Sequence, residues 1–227
     1  MISVTAQENY PPQEILGICG AAVGEGVIGS GVLVGNDWLL TAAHVIHTED
    51  DALRRYLTFD LIDGIAPSDR GEFAFDVSHN SPENLRLVSS NPTSGLDFSL
   101  VKLGANALRN STVGAILPKS IKSRTSPLTN ADNFCVVGHP FEKHMKYFSD
   151  GIKYLSQEPS GVISAHSDAE IFSGVSGGPV FDSDWKLVGI ATNYENKILK
   201  ILPISVISKY LKDKNIDVSK WPLLSIN

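Results

Sequence analysis

Hydrophobic residues arrive in short runs separated by turn residues, a pattern of strands rather than of long helices. Ile15–Val23, Gly26–Val34 and Trp38–Ala43 follow one another, with Gly24-Glu25-Gly26 and Gly35-Asn36-Asp37 at the breaks. Leu57–Ile62, Glu72–Val77, Leu85–Ser89 and Asp97–Leu103 come next. Val, Ile, Phe and Leu at period two, with turn residues about every 8 to 12 positions, read as an all-β sandwich or barrel. The stretch 118–132 is polar and modestly basic and carries Pro118 and Pro127, so it reads as a connector. The strand pattern resumes at Phe134–Gly138, Gly161–Ser164, Pro179–Phe181 and Leu187–Ala191. Only from Ile204 to about Lys214 does the spacing turn helical, with Val206, Ile207, Tyr210 and Leu211 on one face. The expected organisation is a lead-in (1–14), a first β unit (15–117), a connector (118–132), a second β unit (133–203) and a C-terminal helix and tail (204–227). The two β units share no visible sequence repeat.

A chain of 227 residues is long enough to bury a sizeable core, and barrels of this size occur as single units. With 19 Lys and Arg against 25 Asp and Glu, the net charge is −6, which is no electrostatic footprint for nucleic acid. Hydrophobics at 42% and charges at 19% exclude disorder as the default. The first nine residues have neither a basic n-region nor an apolar h-region, and no apolar run approaches a membrane span. The expectation is a cytoplasmic protein without membrane partners. Cys19 and Cys135 make neither a disulfide framework nor a zinc site, and they read as reduced, buried thiols.

The sharpest local signal is Gly174-Val175-Ser176-Gly177-Gly178-Pro179. Glycines crowded around one serine let backbone N–H groups converge on a developing oxyanion, as acyl transfer requires. Taken alone, the run fits either a tight glycine turn or the nucleophile elbow of α/β-hydrolases. The elbow needs its acid and histidine after the serine. All six histidines (His44, His47, His79, His139, His144 and His166) precede Ser176, so the elbow fails on inventory. His44 ends the apolar run Trp38–Ala43 behind two small residues, and Asp97 opens the run that continues to Leu103. A carboxylate at a strand start can be buried and fixed, as the group that orients a catalytic imidazole must be.

Together these segments resemble the trypsin/chymotrypsin superfamily of serine peptidases. Thr41-Ala42-Ala43-His44 is similar to the histidine motif, Leu96-Asp97-Phe98-Ser99-Leu100 to the aspartate motif, and Gly174–Pro179 to the serine motif, in family order. The resemblance covers about residues 15 to 213. It implies two six-stranded Greek-key β-barrels, a trypsin-like double barrel, with a C-terminal helix. A finer similarity is to the bacterial-type HtrA/DegP-like branch. It rests on Val136-Val137-Gly138-His139-Pro140-Phe141, on Gly161-Val162-Ile163-Ser164-Ala165 leading to the serine, and on Leu202-Pro203-Ile204. His139 stands where that branch has asparagine, and no PDZ domain follows.

The resemblance implies Ser176 as nucleophile, His44 as general base and acid, Asp97 as its orienting group, and the N–H groups of Gly174 and Ser176 as oxyanion hole. It implies substrate contacts at Glu170, Ile171, Phe172, Ser173, Thr192, Asn193 and Tyr194. No metal or organic cofactor is needed. The expected partner is a protein or peptide substrate, with a regulatory protein as a further candidate. Val175 replaces the aspartate that pairs with a newly cut N-terminus in digestive relatives, so activation of that kind is not expected. Glu170 lies where trypsin-type enzymes carry their pocket-base aspartate. A basic-residue pocket, a pocket using His166, and a modest apolar pocket remain open, the last being preferred. The acidic Glu49-Asp50-Asp51 cluster and the stretches 63–71 and 78–84 read as surface loops. The alternative to a serine endopeptidase is a catalytically silent or partner-gated module of the same fold; a hydrolase of non-peptide esters is a further one.

Overall fold

A computed structural model describes residues 11–24, 27–59, 72–81, 84–91, 95–106, 121–140, 147–171 and 173–226. Among these, the first barrel is built from β1 (Cys19–Gly24), β2 (Val27–Gly35), β3 (Trp38–Thr41), β4 (Tyr56–Thr58), β5 (Glu72–Phe75), β6 (Leu87–Ser89) and β7 (Ser99–Asn106). The sheet order is β3-β2-β1-β4-β5-β7-β6; a further β3–β7 pairing closes six of these strands into a ring, with β6 alongside β7. The short β6 takes the part of the β7 edge that β5 leaves free, Leu87 facing Val101 where β5 has ended at Leu103. The second barrel closes in the order β10-β13-β12-β11-β8-β9. Its strands are β8 (Asn133–Gly138), β9 (Tyr147–Gln157), β10 (Ile163–His166), β11 (Pro179–Asp182), β12 (Leu187–Glu195) and β13 (Ile198–Pro203). Two closed six-stranded antiparallel barrels, mostly sheet, with one C-terminal helix, are the architecture of a trypsin-like double barrel.

The two barrels share one winding. In each, three consecutive strands form a meander and the fourth returns to pair with the first: β4 beside β1, and β11 beside β8. That is a Greek key. Closure removes the free edges that an open sheet of this size would expose.

Local structure departs from the strand pattern in three places. The apolar run from Ile15 begins as a helical turn, α1 (Gln13–Ile18), before continuing as β1. Pro12 precedes it with the φ a helix start needs, and Ile15, Leu16 and Ile18 are buried. The acidic cluster forms a short helix, α2 (Glu49–Leu53). Thr48 and Asp51 close a reciprocal capping box there, and three acidic side chains sit in its first turn. The strand β9 was not legible, because Tyr147–Gln157 mixes polar residues with Gly151 and lacks a clean apolar face. The segments 60–71, 82–83 and 118–120 of the expected loops and connector lie outside the described residues.

The C-terminal helix α3 (Ile204–Asp213) buries Ile204, Ile207 and Leu211. Its Tyr210 meets Phe98 edge-on at 5.4 Å between ring centres. The chain then returns to the first barrel. Trp221 is fully buried edge-on against Trp38 at 5.1 Å, and Lys220 Nζ lies 4.8 Å and 4.6 Å from the two indole rings. Helix and tail thus brace β3 at its start and β7 just before its start. Cys19 and Cys135 are both buried and form no disulfide, and burial pushes the Cys135 thiol well above its usual range.

Candidate active site

The β3–β7 pairing brings His44 and Asp97 together. The strands are antiparallel, and Thr41 faces Ser99 at the last pair of their shared ladder. The end of β3 therefore lies beside the beginning of β7. Ala42 and Ala43, both fully buried, carry the chain past the ladder to His44. Ser90 fixes the other side. Its N–H donates to Phe98 O (3.0 Å) and its Oγ accepts from Phe98 N–H (3.0 Å), so Asp97 is held next to a clamped residue.

Asp97 grips His44 at two points. His44 Nδ1–H donates to Oδ2 (2.5 Å) and the His44 backbone N–H donates to Oδ1 (3.0 Å). A carboxylate only accepts, so Nδ1 carries a proton, and in the neutral ring Nε2 is the nitrogen with the lone pair. The Asp97 side chain is 15% exposed and that of His44 is 43% exposed. The acid is largely shielded while the base is open to a substrate.

Ser176 belongs to the loop between β10 and β11 and is seated on the first barrel. Its carbonyl accepts from Ser30 N–H on β2 (2.8 Å). Gly177, with φ of +82°, packs so closely that a side chain there would collide with Ser30 O and Thr41 Oγ1 and lie 2.8 Å from Ala42 N. Ser176 thus abuts the same strand end that leads, two residues beyond Ala42, to His44. Among the described residues no hydrogen bond joins Ser176 Oγ to His44; such a link commonly tightens only when substrate is bound.

The loop's backbone is one-sided. The carbonyls of Gly174, Val175 and Ser176 accept from Ser30 Oγ (2.7 Å), Gly178 N–H (2.8 Å) and Ser30 N–H (2.8 Å). The N–H groups of Gly174, Val175 and Ser176 find no acceptor among the described residues. Gly174 has φ of +97°, which turns its peptide as no ordinary side chain would favour.

A cavity of about 140 Å³ opens beside Ser176, lined by Ile171, Ser173, Val175, Ser176, Ala191, Asn193, Tyr194 and Leu199. Its depth is apolar, since Ile171, Val175, Ala191 and Leu199 are buried. Its mouth is polar: Ser173 and Asn193 are exposed, and Tyr194 O–H donates to Ala169 O (3.1 Å) across the rim. Of the expected substrate contacts, Ile171, Ser173, Asn193 and Tyr194 line this cavity, whereas Glu170 and Thr192 do not. Glu170 is solvent-exposed. Thr192 sits at a bulge in the β12–β13 pairing and donates to Lys200 O (3.3 Å). Phe172 lies outside the described residues. His166 is engaged with Asp168 (3.1 Å), away from the cavity. No cluster of three or more metal-binding side chains occurs among the described residues.

Sequence reasoning overlooked Ala191 and Leu199, which only the β12–β13 register brings to the pocket, and Ser30. For Ser30 a signal existed: a polar residue between Gly29 and Gly31 inside an otherwise apolar run.

The barrels and this loop define the class of double-barrel peptidases. The Trypsin-like peptidase domain family matches residues 29–190, well over half of the chain, and the protein belongs to that family. Among solved structures, the scabies mite inactivated protease paralogue S-I1 is similar at TM-score 0.65 and 15% identity, covering 88% of this chain and 95% of that one. A Glu endopeptidase in complex with MPD is similar at TM-score 0.60 and 16% identity, covering 87% and 91%. The inactive form of a serine-to-alanine mutant of Rv3671c from M. tuberculosis H37Rv is similar at TM-score 0.59 and 13% identity, covering 88% and 87%. At these identities the likeness is one of fold. No curated protein matches the chain in sequence.

Proposed function

We propose that this protein is a serine endopeptidase working through an acyl-enzyme, with Ser176 as nucleophile, His44 as general base and then acid, and Asp97 as the group that holds the imidazole. The observation that carries the reading is the two-point grip of Asp97 on His44, which selects the Nδ1–H tautomer of the neutral ring on a side chain that stays open to solvent. An imidazole needs that tautomer to take a hydroxyl proton. Ser176 Oγ attacks the peptide carbonyl and His44 Nε2 receives its proton. The tetrahedral oxyanion then accepts from the N–H groups of Gly174 and Ser176, each such donor contributing about 3 kcal/mol. His44 returns the proton to the leaving amine, and water repeats the sequence on the acyl-enzyme.

The cavity beside Ser176 supports an apolar residue on the acyl side of the cut bond. At about 140 Å³ it has room for a benzene-sized group, and its buried walls, Ile171, Val175, Ala191 and Leu199, are apolar beneath a polar mouth. Leu, Met and Phe match it in size and chemistry. With Glu170 outside the lining, Lys and Arg would bury a charge without a partner, which is costly. The expected substrates are proteins or peptides, and the segments around Gly138-His139-Pro140 and Leu202-Pro203-Ile204 favour the HtrA-like branch. The second reading, a silent or gated module, draws on the unclosed link between Ser176 Oγ and His44.

A fluorophosphonate probe tests the two. Labelling of the purified protein, read by intact mass and lost in Ser176→Ala, is the expected result. A folded wild-type protein that takes up no label would sink the peptidase reading in favour of the silent or gated module.

A further inference from the structure

In Ser30 all three polar groups are engaged, in four hydrogen bonds, and the residue is fully buried. Its N–H donates to Ser176 O (2.8 Å), its carbonyl accepts from Thr41 Oγ1 (2.7 Å), and its Oγ lies 2.7 Å from both Gly174 O and His139 N. The hydroxyl's direction is forced. The His139 N–H can only donate, so Oγ accepts there and its one proton goes to Gly174 O. A single residue of the first barrel therefore holds the two carbonyls that flank Val175, and ties them to the end of β8 and to β3.

We propose that Ser30 is the positioning residue of the nucleophile loop, fixing from across the barrel interface the backbone that presents the N–H groups of Gly174 and Ser176 to the cleft. With Gly174 O and Ser176 O held by Ser30 and Val175 O by Gly178 N–H (2.8 Å), the peptide between them, which carries the Ser176 N–H, has little freedom to turn; the Gly174 N–H, on the peptide before, is set relative to the held Gly174 carbonyl by the φ of +97° at Gly174. Val175 completes the anchor. It is buried, and its Cα and Cγ1 both lie 3.0 Å from where a side chain on Gly138 would begin. An aliphatic residue there cannot make an ion pair, so order in this loop comes from an internal hydroxyl and close packing, not from a charge released by cleavage. The oxyanion-binding backbone is thereby built by the fold itself. This inference rests on the peptidase reading for its kinetic consequence but not for its structural one.

The test combines amide exchange with kinetics on the full chain. In Ser30→Ala, exchange of the segment 173–178 is expected to rise about tenfold or more, and kcat on a Leu-containing peptide to fall about tenfold or more with KM within about twofold. Affinity for a peptide boronic acid, which mimics the tetrahedral state, is expected to fall by the same factor as kcat/KM. Val32→Ala, two residues along β2 and fully buried with no polar contact to the loop, serves as comparison; it lowers Tm but leaves loop exchange and kcat within about twofold. Should Ser30→Ala not fold, Ser30→Cys keeps the volume with a far weaker donor. Unchanged loop exchange in the Ser30 variant, or equal loosening in Val32→Ala, would overturn the proposal. If the wild type neither labels nor cleaves, the peptidase reading falls, and the exchange comparison alone decides the role of Ser30.

Discussion

Replacing Asp97 by Asn isolates the tautomer on which the mechanism depends. The two hydrogen bonds from His44 to Asp97 are not equivalent: one comes from a backbone N–H, which can only donate, and the other from the ring. In Asp97→Asn the amide oxygen must stay on the backbone N–H, so the NH₂ group falls opposite Nδ1. Nδ1 then has to accept, and the ring proton moves to Nε2, where it blocks uptake of the Ser176 proton. Shape and bond number are kept, so stability should change little. The expected loss in kcat is about 10⁴-fold, as for the equivalent change in a digestive relative. At about 1.4 kcal/mol per tenfold, that is about 5.5 kcal/mol of transition-state stabilisation. Steady-state hydrolysis of a fluorogenic peptide, with Tm measured alongside, is the assay. A loss under tenfold at unchanged Tm would refute the reasoning, because the imidazole would then work in either tautomer.

The remaining predictions concern the pocket, the loop and acid stability. Tyr194→Gly removes the rim contact to Ala169 and is expected to raise kcat/KM for a Trp-containing peptide relative to a Leu-containing one by about tenfold or more, read from a peptide library. A library showing strong Lys or Arg preference in the wild type would contradict the apolar pocket. Gly177→Ala combines a left-handed φ with collisions against Ser30 and Thr41, and is expected to cost at least about 2 kcal/mol, or about 4 to 8 °C in Tm. Burial alone would raise the Asp132 carboxyl, but the Thr129 N–H and the Arg124 guanidinium outweigh it and hold the carboxyl below its usual range. A lowered folded value means stability that is present above the unfolded value of about 3.9 and is lost as pH falls through the folded one. The urea-midpoint difference between wild type and Asp132→Asn should therefore be full near neutrality and narrow below about pH 4; a difference independent of pH would show that the pair contributes no such linkage.

His44, Asp97 and Ser176 could be singled out in the sequence because three local patterns stand in one chain order: a histidine behind two alanines at a strand end, an acid at a strand start, a serine among glycines; the first two say little alone. The helix beginning at Ile204 was legible from its period. The α1 turn was not, since Ile15–Val23 is apolar throughout and such a run has no period of its own to tell a helical turn from a strand. Nor was β9, whose mixture of polar residues and glycine looks like loop until β8 and β10 pair with it on either side.

The sequence by itself determined the all-β class, the order of the catalytic candidates and the exclusion of an α/β-hydrolase, because these follow from periodicity and chain order. Only the tertiary structure decided that two units without sequence similarity wind identically, since strand pairing is a relation between distant segments. It alone decided that Leu199 enters the pocket, because the bulge at Thr192 sets which side chains of β12 and β13 share a face, and that Glu170, on the loop after β10, stays outside it. It alone gave Ser30 its partners, by bringing Gly174, Ser176 and His139 of the second barrel within reach of its polar groups.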